Sequence, residues 1–327
     1  MILLFSRLDD GNTHLVIEWL LHMKKAFIRI NADDKKTKIK RIDGNEESII
    51  VEQNGKEYDL LKCRSVWYRR RGISLGCTGV NTDDLDTSIF LDAPLYHNGH
   101  LERETSTLGF YMYSQLENKI PNSIGNPYKM NLNKLRVLEI AKASGLLVPQ
   151  TYVLTSKRDL QTLLVEKKLS LITKAISDGV YLFTDQNGYY SYTEKIDISD
   201  LNKIPETFYP SLFQVQIKKK LELRVFYIKE IFYAMAIFSQ SDTQTAVDFR
   251  KYNNNRPNRT EPYELPEHIK SKLKEMLKKL ELNTGSIDII VDENNQYIFL
   301  EINPVGQITM TSKPCNYYLE KKIAEIL

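Results

Sequence analysis

The chain has 327 residues, 42% of them hydrophobic and 27% charged, which is the profile of a water-soluble globular protein with room for two or three domains. A net charge of +3 is too small to argue for a nucleic-acid partner, and no apolar run reaches membrane-spanning length, so neither nucleic acid nor membrane is expected as a partner. Ile2–Ser6 reads as a first strand and not a signal peptide, because no basic stretch precedes its short apolar run. A turn at Asp9-Asp10-Gly11-Asn12, a helix over Thr13–Lys25 and a strand over Ala26–Asn31 make a β-loop-α-β opening, as in a doubly wound sheet. Lys38–Asp43, Ser48–Gln53 and Lys56–Leu61 predict a meander with Asn54-Gly55 as a hairpin turn. Ser65–Arg70 (SVWYRR) is a further strand ending in the basic pair Arg69 and Arg70, and His100–Glu117 predicts a helix. The turn-forming run 121–127 is the best domain boundary.

Beyond it, Asn131 is placed to cap a helix over Leu132–Ser144 that stops at Gly145. A strand (Thr151–Leu154), a helix (Lys157–Lys168) and a strand (Leu169–Ala175) lead into the loop Ile176-Ser177-Asp178-Gly179. Tyr181–Thr184 and Tyr189–Thr193 flank an Asn187-Gly188 turn. Then come the strands FQVQ (Phe213–Gln216), Leu221–Ile228 and Ile231–Phe238, a helix over Pro266–Leu282, a hairpin, and a last helix over Cys315–Leu327. The class is α/β to α+β in three parts, 1–125, 126–211 and 212–327. Cys63, Cys77 and Cys315 form no CxxC and are odd in number, which reads as reduced thiols in the cytoplasm.

The chemistry concentrates in the late hairpin, GSIDIIVDENNQYIFLEINPVGQ. Strand side chains alternate faces, so Glu301 and Asn303 share one. With Asn294-Asn295 as a two-residue turn, Asp288 lies opposite Glu301. Two carboxylates on one patch repel unless a cation joins them, and a hard ion such as Mg2+ takes oxygen ligands, the amide's included, and keeps positions open for phosphates. Lys134 in the first turn of a helix and Lys174 at the end of an apolar strand suit an anion; a plain salt bridge is the alternative for Lys134. Gln214, Val215, Gln216 and Ile217 read as an edge segment whose backbone can recognise a base. Arg224 either pairs with Glu222 on its own strand face or grips phosphate or carboxylate. AVDFRKY sets Asp248 and Arg250 two apart. The run Lys218–Lys220 reads as a solvated connector. Tyr189 and Tyr190 are candidates for an aromatic docking surface, with a packed hairpin face as the alternative.

The order of these features, helix lysine, strand-end lysine, loop, base-reading segment, then Asp and Glu-x-Asn, resembles the ATP-grasp superfamily over about the last 200 residues. The resemblance implies an ATP-grasp fold behind an N-terminal α/β domain. It implies phosphate contacts at Lys134 and Lys174, an adenine hinge at Gln214–Ile217, a ribose contact at Glu222, and two Mg2+ ions held by Asp288, Glu301 and Asn303. VWYRR, ELRVF, VDFRKYN, LEINPVGQ and the terminal PCNYYLEKKIAEIL narrow the resemblance to the grasp-with-spasm, microviridin-type peptide maturases. Those imply an ATP-dependent macrocyclase that joins Asp or Glu side chains of a precursor peptide, leader plus core, to Thr, Ser or Lys side chains as ω-ester or ω-amide. Arg224, Arg250 and Asp248 become its catalytic candidates, and Arg69 and Arg70 with the tyrosines its peptide contacts. An ATP-grasp ligase acting on a free amine and a non-catalytic ATP-binding peptide-recognition protein are the competing readings. The sequence leaves a homodimer open.

Overall fold

The computed structural model describes residues 1–34, 36–70, 93–177, 179, 181–184, 187–190, 192–239 and 258–327. The chain forms two compact units, one of residues 1–130 with 318–327, the other of residues 131–317. Among the described residues no helix is long and apolar enough to cross a membrane.

The first unit is built on β1 (Ile2–Ser6), α1 (Gly11–His22), β2 (Phe27–Asn31), β3 (Thr37–Asp43), β4 (Ser48–Gln53), β5 (Lys56–Asp59), β6 (Ser65–Tyr68), α2 (Ala93–Lys119) and β7 (Asn122–Ile124). The parallel sheet runs β2-β1-β6-β7, and β3-β4-β5 form the expected meander. Ile2, Leu3, Leu4 and Phe5 are all fully buried. A parallel strand covered on both faces needs such an unbroken apolar run. β7 was not expected, because its three residues lie inside the turn-forming run 121–127.

The last segment is not one helix. Asn316 and Tyr318 both adopt left-handed backbone, which splits it into α6 (Thr309–Cys315) and α7 (Leu319–Ile326). α7 falls in the first unit, where it packs on α1 and where Ser65 Oγ donates to the Leu327 carbonyl.

Among the described residues the second unit carries a four-stranded and a five-stranded sheet, both of non-sequential strand order, and a separate two-stranded hairpin. α3 (Lys134–Ala143) leads into β8 (Thr151–Ser156), α4 (Lys157–Gln161) with a π turn after it, β9 (Leu171–Lys174), the hairpin β10 (Tyr181–Phe183) and β11 (Gly188–Tyr190), β12 (Glu194–Ile196) and β13 (Thr207–Val215). β14 (Lys219–Ile228), β15 (Ile231–Phe238), β16 (Arg259–Tyr263), α5 (Glu267–Leu280), β17 (Thr284–Asp292) and β18 (Tyr297–Asn303) follow. One sheet runs β12-β9-β13-β8, the other β16-β15-β14-β17-β18. Asn133, not Asn131, caps α3: its side chain accepts from Arg136 N at 3.0 Å, the spacing an N-cap requires.

The five-stranded sheet has two unlike faces. Leu221, Leu223 and Val225 of β14 and Ile287, Ile289 and Val291 of β17 point into one core with α3 and α5. The strand period of two then sends Glu222, Arg224 and Asp288 to the other face. Met235 and Ile237 on that face pack with Cys315 of α6.

Candidate active site

The charged face is organised by cross-strand register. Arg224 on β14 lies opposite Asp288 on β17, and Asp288 lies opposite Glu301 on β18. Arg224 Nη1 donates to both Asp288 oxygens, at 2.7 Å each. The alternative pairing of Arg224 with Glu222 is therefore not the one formed: two residues apart on one strand they sit side by side, while Asp288 faces Arg224 directly. Ser286 and Asn303 form the next pair along, so Ser286, Asp288, Glu301 and Asn303 share one patch. Asn303 Oδ1 accepts from Val305 N and starts a tight turn. Gly306 closes that turn, where a Cβ would stand 2.0 Å from Ser286 Oγ.

The pairing of Asp288 with Glu301 follows from two departures that cancel. The hairpin loop has three residues, closed by Asp292 N donating to Gln296 O with Asn295 in left-handed backbone. A bulge between Asp288 and Ile289 then restores the register.

Both lysines reach this patch. Lys134 Nζ is 3.6 Å and Lys174 Nζ 3.7 Å from Glu301 Oε2. Lys134 is the first residue of α3, where the helix dipole disfavours a cation unless an anion is near. Lys174 ends β9, so its contact with Glu301 joins the unit's four-stranded and five-stranded sheets. Two carboxylates, an amide oxygen and three cations thus meet on one face. Among the described residues no three His, Cys, Asp or Glu side chains cluster as a metal site. The set Asp288, Glu301 and Asn303 is nonetheless all hard oxygen, and each carboxylate already holds cationic partners, so it fits a magnesium-type ion.

The segment Gln214–Ile217 is not a sheet edge. β13 lies between β9 and β8, Gln214 Nε2 donates to Thr151 Oγ1, and Val215 N and Gln216 N donate to the carbonyls of Gln150 and Ser170. Past the strand end, among the described residues, the Gln216 carbonyl and the Ile217 amide have no backbone partner and are placed to meet a base.

Lys219, expected in solvent, is buried. Its Nζ donates to Glu222 Oε1 at 2.6 Å, and Ser239 Oγ donates to the same oxygen at 2.7 Å. Burial raises the Glu222 pKa, against the pull of Lys219 and Ser239. This pair is not legible in the sequence: a run of three lysines looks like surface, and the structure sets exposed Lys218 and Lys220 about buried Lys219.

Arg69 and Arg70 are in the first unit, both clasping Asp10, with Arg69 itself 4% exposed. Burial withdraws Arg69 from any direct peptide contact, whereas Arg70 remains partly exposed. Tyr189 of β11 is exposed and pairs across the hairpin with exposed Leu182; Tyr190 lies on the same strand. Asp248 and Arg250 lie outside the described residues.

The comparisons with known proteins agree with this geometry. Residues 132–327 match the RimK-like ATP-grasp domain. The chain belongs to the RimK-like ATP-grasp family. This ATP-grasp chain is similar over 100% of its length, and 99% of the other's, to the macrocyclase MdnC bound with precursor peptide MdnA from Microcystis aeruginosa MRC, at 26% identity and a TM-score of 0.75. Its fold is also that of a RiPP-associated ATP-grasp ligase from Chryseobacterium gregarium in complex with ADP, a leader and a core peptide; identity is 24%, coverage 99% and 94%, TM-score 0.76. The ATP-grasp ligase PsnB complexed with minimal precursor, Mg and ADP shares the fold at 17% identity, 99% and 95% coverage and a TM-score of 0.73. The comparison with curated proteins finds no match.

Proposed function

We propose that this ATP-grasp chain is an ATP-dependent macrocyclase of a ribosomally made precursor peptide. The observation that carries the reading is the convergence of Lys134, Lys174 and Arg224 on the Asp288–Glu301 pair. The 26% identity to a macrocyclase bound with its precursor supports a peptide substrate.

A carboxylate does not condense with an alcohol in water without activation. An Asp or Glu side chain of the core attacks the γ-phosphorus of ATP, the bond to the bridging oxygen breaks, and ADP leaves an acyl phosphate. A Thr or Ser hydroxyl, or a Lys amine, then attacks the acyl carbon; inorganic phosphate departs, and the proton of the nucleophile is lost. The products are the ω-ester and the ω-amide. Phosphoryl transfer asks the protein mostly for positioning and charge neutralisation. Lys134 and Lys174 bind the phosphates, and the Gln216 carbonyl and Ile217 amide take the adenine. Arg224 steadies the transferring phosphoryl group or grips the acceptor carboxylate. Asp288, Glu301 and Asn303 would hold two Mg2+ ions, which supply neutralisation of the phosphate charge when bound.

The leader docks on the β10–β11 hairpin through exposed Leu182 and Tyr189, and Arg70 meets acidic residues of the peptide. Residues 1–125 carry peptide contacts, 126–211 the lysines and the hairpin, and 212–327 the metal face. The free, buried Cys63 and Cys315 suit a cytoplasmic enzyme.

The test is a synthetic precursor rich in Thr and Asp or Glu, incubated with ATP and Mg2+ and followed by mass. Loss of one water per bond with ADP release is expected. A mass gain from an added free amine would instead support the amine ligase, and binding without ADP release the non-catalytic reading.

A further inference from the structure

Residues three apart on a strand ordinarily point to opposite faces. Lys219 and Glu222 are three apart on β14, yet their side chains meet at 2.6 Å. The cause is a break in register between Lys219 and Leu221, which turns Lys219 to the face of Glu222 and leaves Lys220 to reach Asn295 at the hairpin loop. Bulges of this kind re-aim a side chain beside a site. Two donors, Lys219 Nζ and Ser239 Oγ, are spent on one oxygen, Oε1. Among the described residues Oε2 accepts from none. A buried ion pair contributes little to stability beyond what an apolar pair of the same volume would, so its presence calls for another reason.

Position supplies one. Glu222 follows the hinge Gln214–Ile217 in the chain and precedes Arg224, which lies about 7 Å further along the same strand face. Base, sugar and phosphates of a nucleotide come in that order. We propose that Lys219 and Ser239 are positioning residues for Glu222: they fix Oε1 so that Oε2 accepts from a ribose hydroxyl of the bound nucleotide, and they set a preference for ribonucleotides over deoxyribonucleotides. This rests on the reading of the charged face as an ATP site. A carboxylate held by two donors is pre-oriented, and a hydroxyl donating to it is a charge-assisted bond.

The experiment measures, with the full chain and Mg2+, the affinities for ADP, 2′-deoxy-ADP and 3′-deoxy-ADP by calorimetry. The wild type is expected to bind ADP about tenfold or more tightly than at least one deoxy analogue. In Lys219→Met that ratio falls toward one, in Ser239→Ala it falls part-way, and Lys219→Arg retains more of it than Lys219→Met does. A purely structural pair would lower the melting midpoint and leave the ratio alone. An unchanged ratio in Ser239→Ala and in folded Lys219→Met overturns the proposal; should Lys219→Met not fold, Ser239→Ala and Lys219→Arg decide. A wild type that binds ADP without discrimination overturns this proposal alone, and one that binds no ADP overturns the ATP-site reading with it.

Discussion

Each unit holds one carboxylate clasped by two cations, and the two clasps are built differently. In the first unit Asp10 caps α1, accepts from Thr13 N at 2.9 Å, and takes Arg69 Nε at 3.1 Å and Arg70 Nε at 3.2 Å. In the second unit Glu301 faces Lys134 and Lys174 at 3.6 and 3.7 Å. The Asp10 side chain is 3% exposed and that of Glu301 is 30% exposed. Short contacts to a buried carboxylate, one of them from a buried arginine, belong to architecture, because opening them would strand a buried charge. Longer contacts from single-point lysines at a wet face can be exchanged for a ligand at small cost. The same charge pattern therefore serves as a rivet in one unit and as a set of placeholders in the other.

The largest expected effect breaks the comparison on its functional side. Glu301→Gln should lower precursor dehydration on the order of a thousandfold, through loss of charge where phosphate charge must be balanced. Its stability should change by no more than about 1 kcal/mol, since its pairs with Lys134 and Lys174 are long and partly exposed. A variant with near-normal turnover at low Mg2+ would remove Glu301 from the metal set.

The mirror experiment is Asp10→Ala. Removing the carboxylate leaves Arg69 buried and α1 uncapped, and denaturant unfolding should show a loss of about 3–5 kcal/mol. ADP affinity of the folded fraction should be unchanged. Acid titration sharpens the point. Burial works to raise the Asp10 pKa, but Arg69, the Thr13 amide and Arg70 outweigh it, and the group is held below its ordinary 3.8. A lowered folded value means stability that is fully present above about pH 4 and is lost as pH falls through the folded value. Asp10→Asn should therefore be less stable at neutral pH and lose less on acidification. An acid transition identical to the wild type would assign the effect to other carboxylates.

How far the sequence carries the reader differs between the two clasps for the same reason. Glu301 was legible because an acidic residue in an apolar strand breaks a pattern, and the strand period alone placed it with Asn303. Its pairing with Asp288 came out correctly although the loop is one residue longer than expected, since the bulge before Ile289 compensates. Arg224 could be assigned a face but not a partner, because Asp288 is 64 residues away and only sheet order brings them together. Asp10 reads as a turn residue and Arg69 as half of a basic pair at a strand end; their meeting depends on β1 and β6 being neighbours. Local signals also competed: Asn131 and Asn133 are both good caps, and a bulge hid Lys219 within a run of like charges. Strand-end and periodicity arguments recover faces, while register breaks and long-range pairing need the fold.

Of the two lysines, Lys174 should matter more to nucleotide than to stability. Lys174→Ala is expected to weaken ADP binding in the presence of Mg2+ about tenfold, the worth of one charged hydrogen bond to phosphate, and Lys174→Arg less, because the strand end needs a cation before it needs a shape. Equal affinity for wild type and Lys174→Ala in calorimetry would make Lys174 a plain salt bridge.

The smallest effect tests the placeholder idea itself. If Lys134 and Lys174 neutralise Glu301 only until ligands arrive, they compete with a metal for the same carboxylate in the nucleotide-free chain. Lys134→Met removes one competitor, at 3.6 Å and partly exposed. The worth of such a pair is about 0.2–1 kcal/mol, so Mg2+ or Mn2+ affinity without nucleotide should rise by no more than about fivefold. With ADP present the sign should reverse, since the lysine then helps to hold phosphate and, through it, the metal. Equilibrium titration of Mn2+ with and without ADP reads both. At Asp10 the matching change at Arg69 has no such reversal, because Arg69 is buried with its carboxylate. An Mn2+ affinity that falls in Lys134→Met even without nucleotide would mean that Lys134 supports the carboxylate rather than guarding it, and the two clasps would then differ in degree and not in kind.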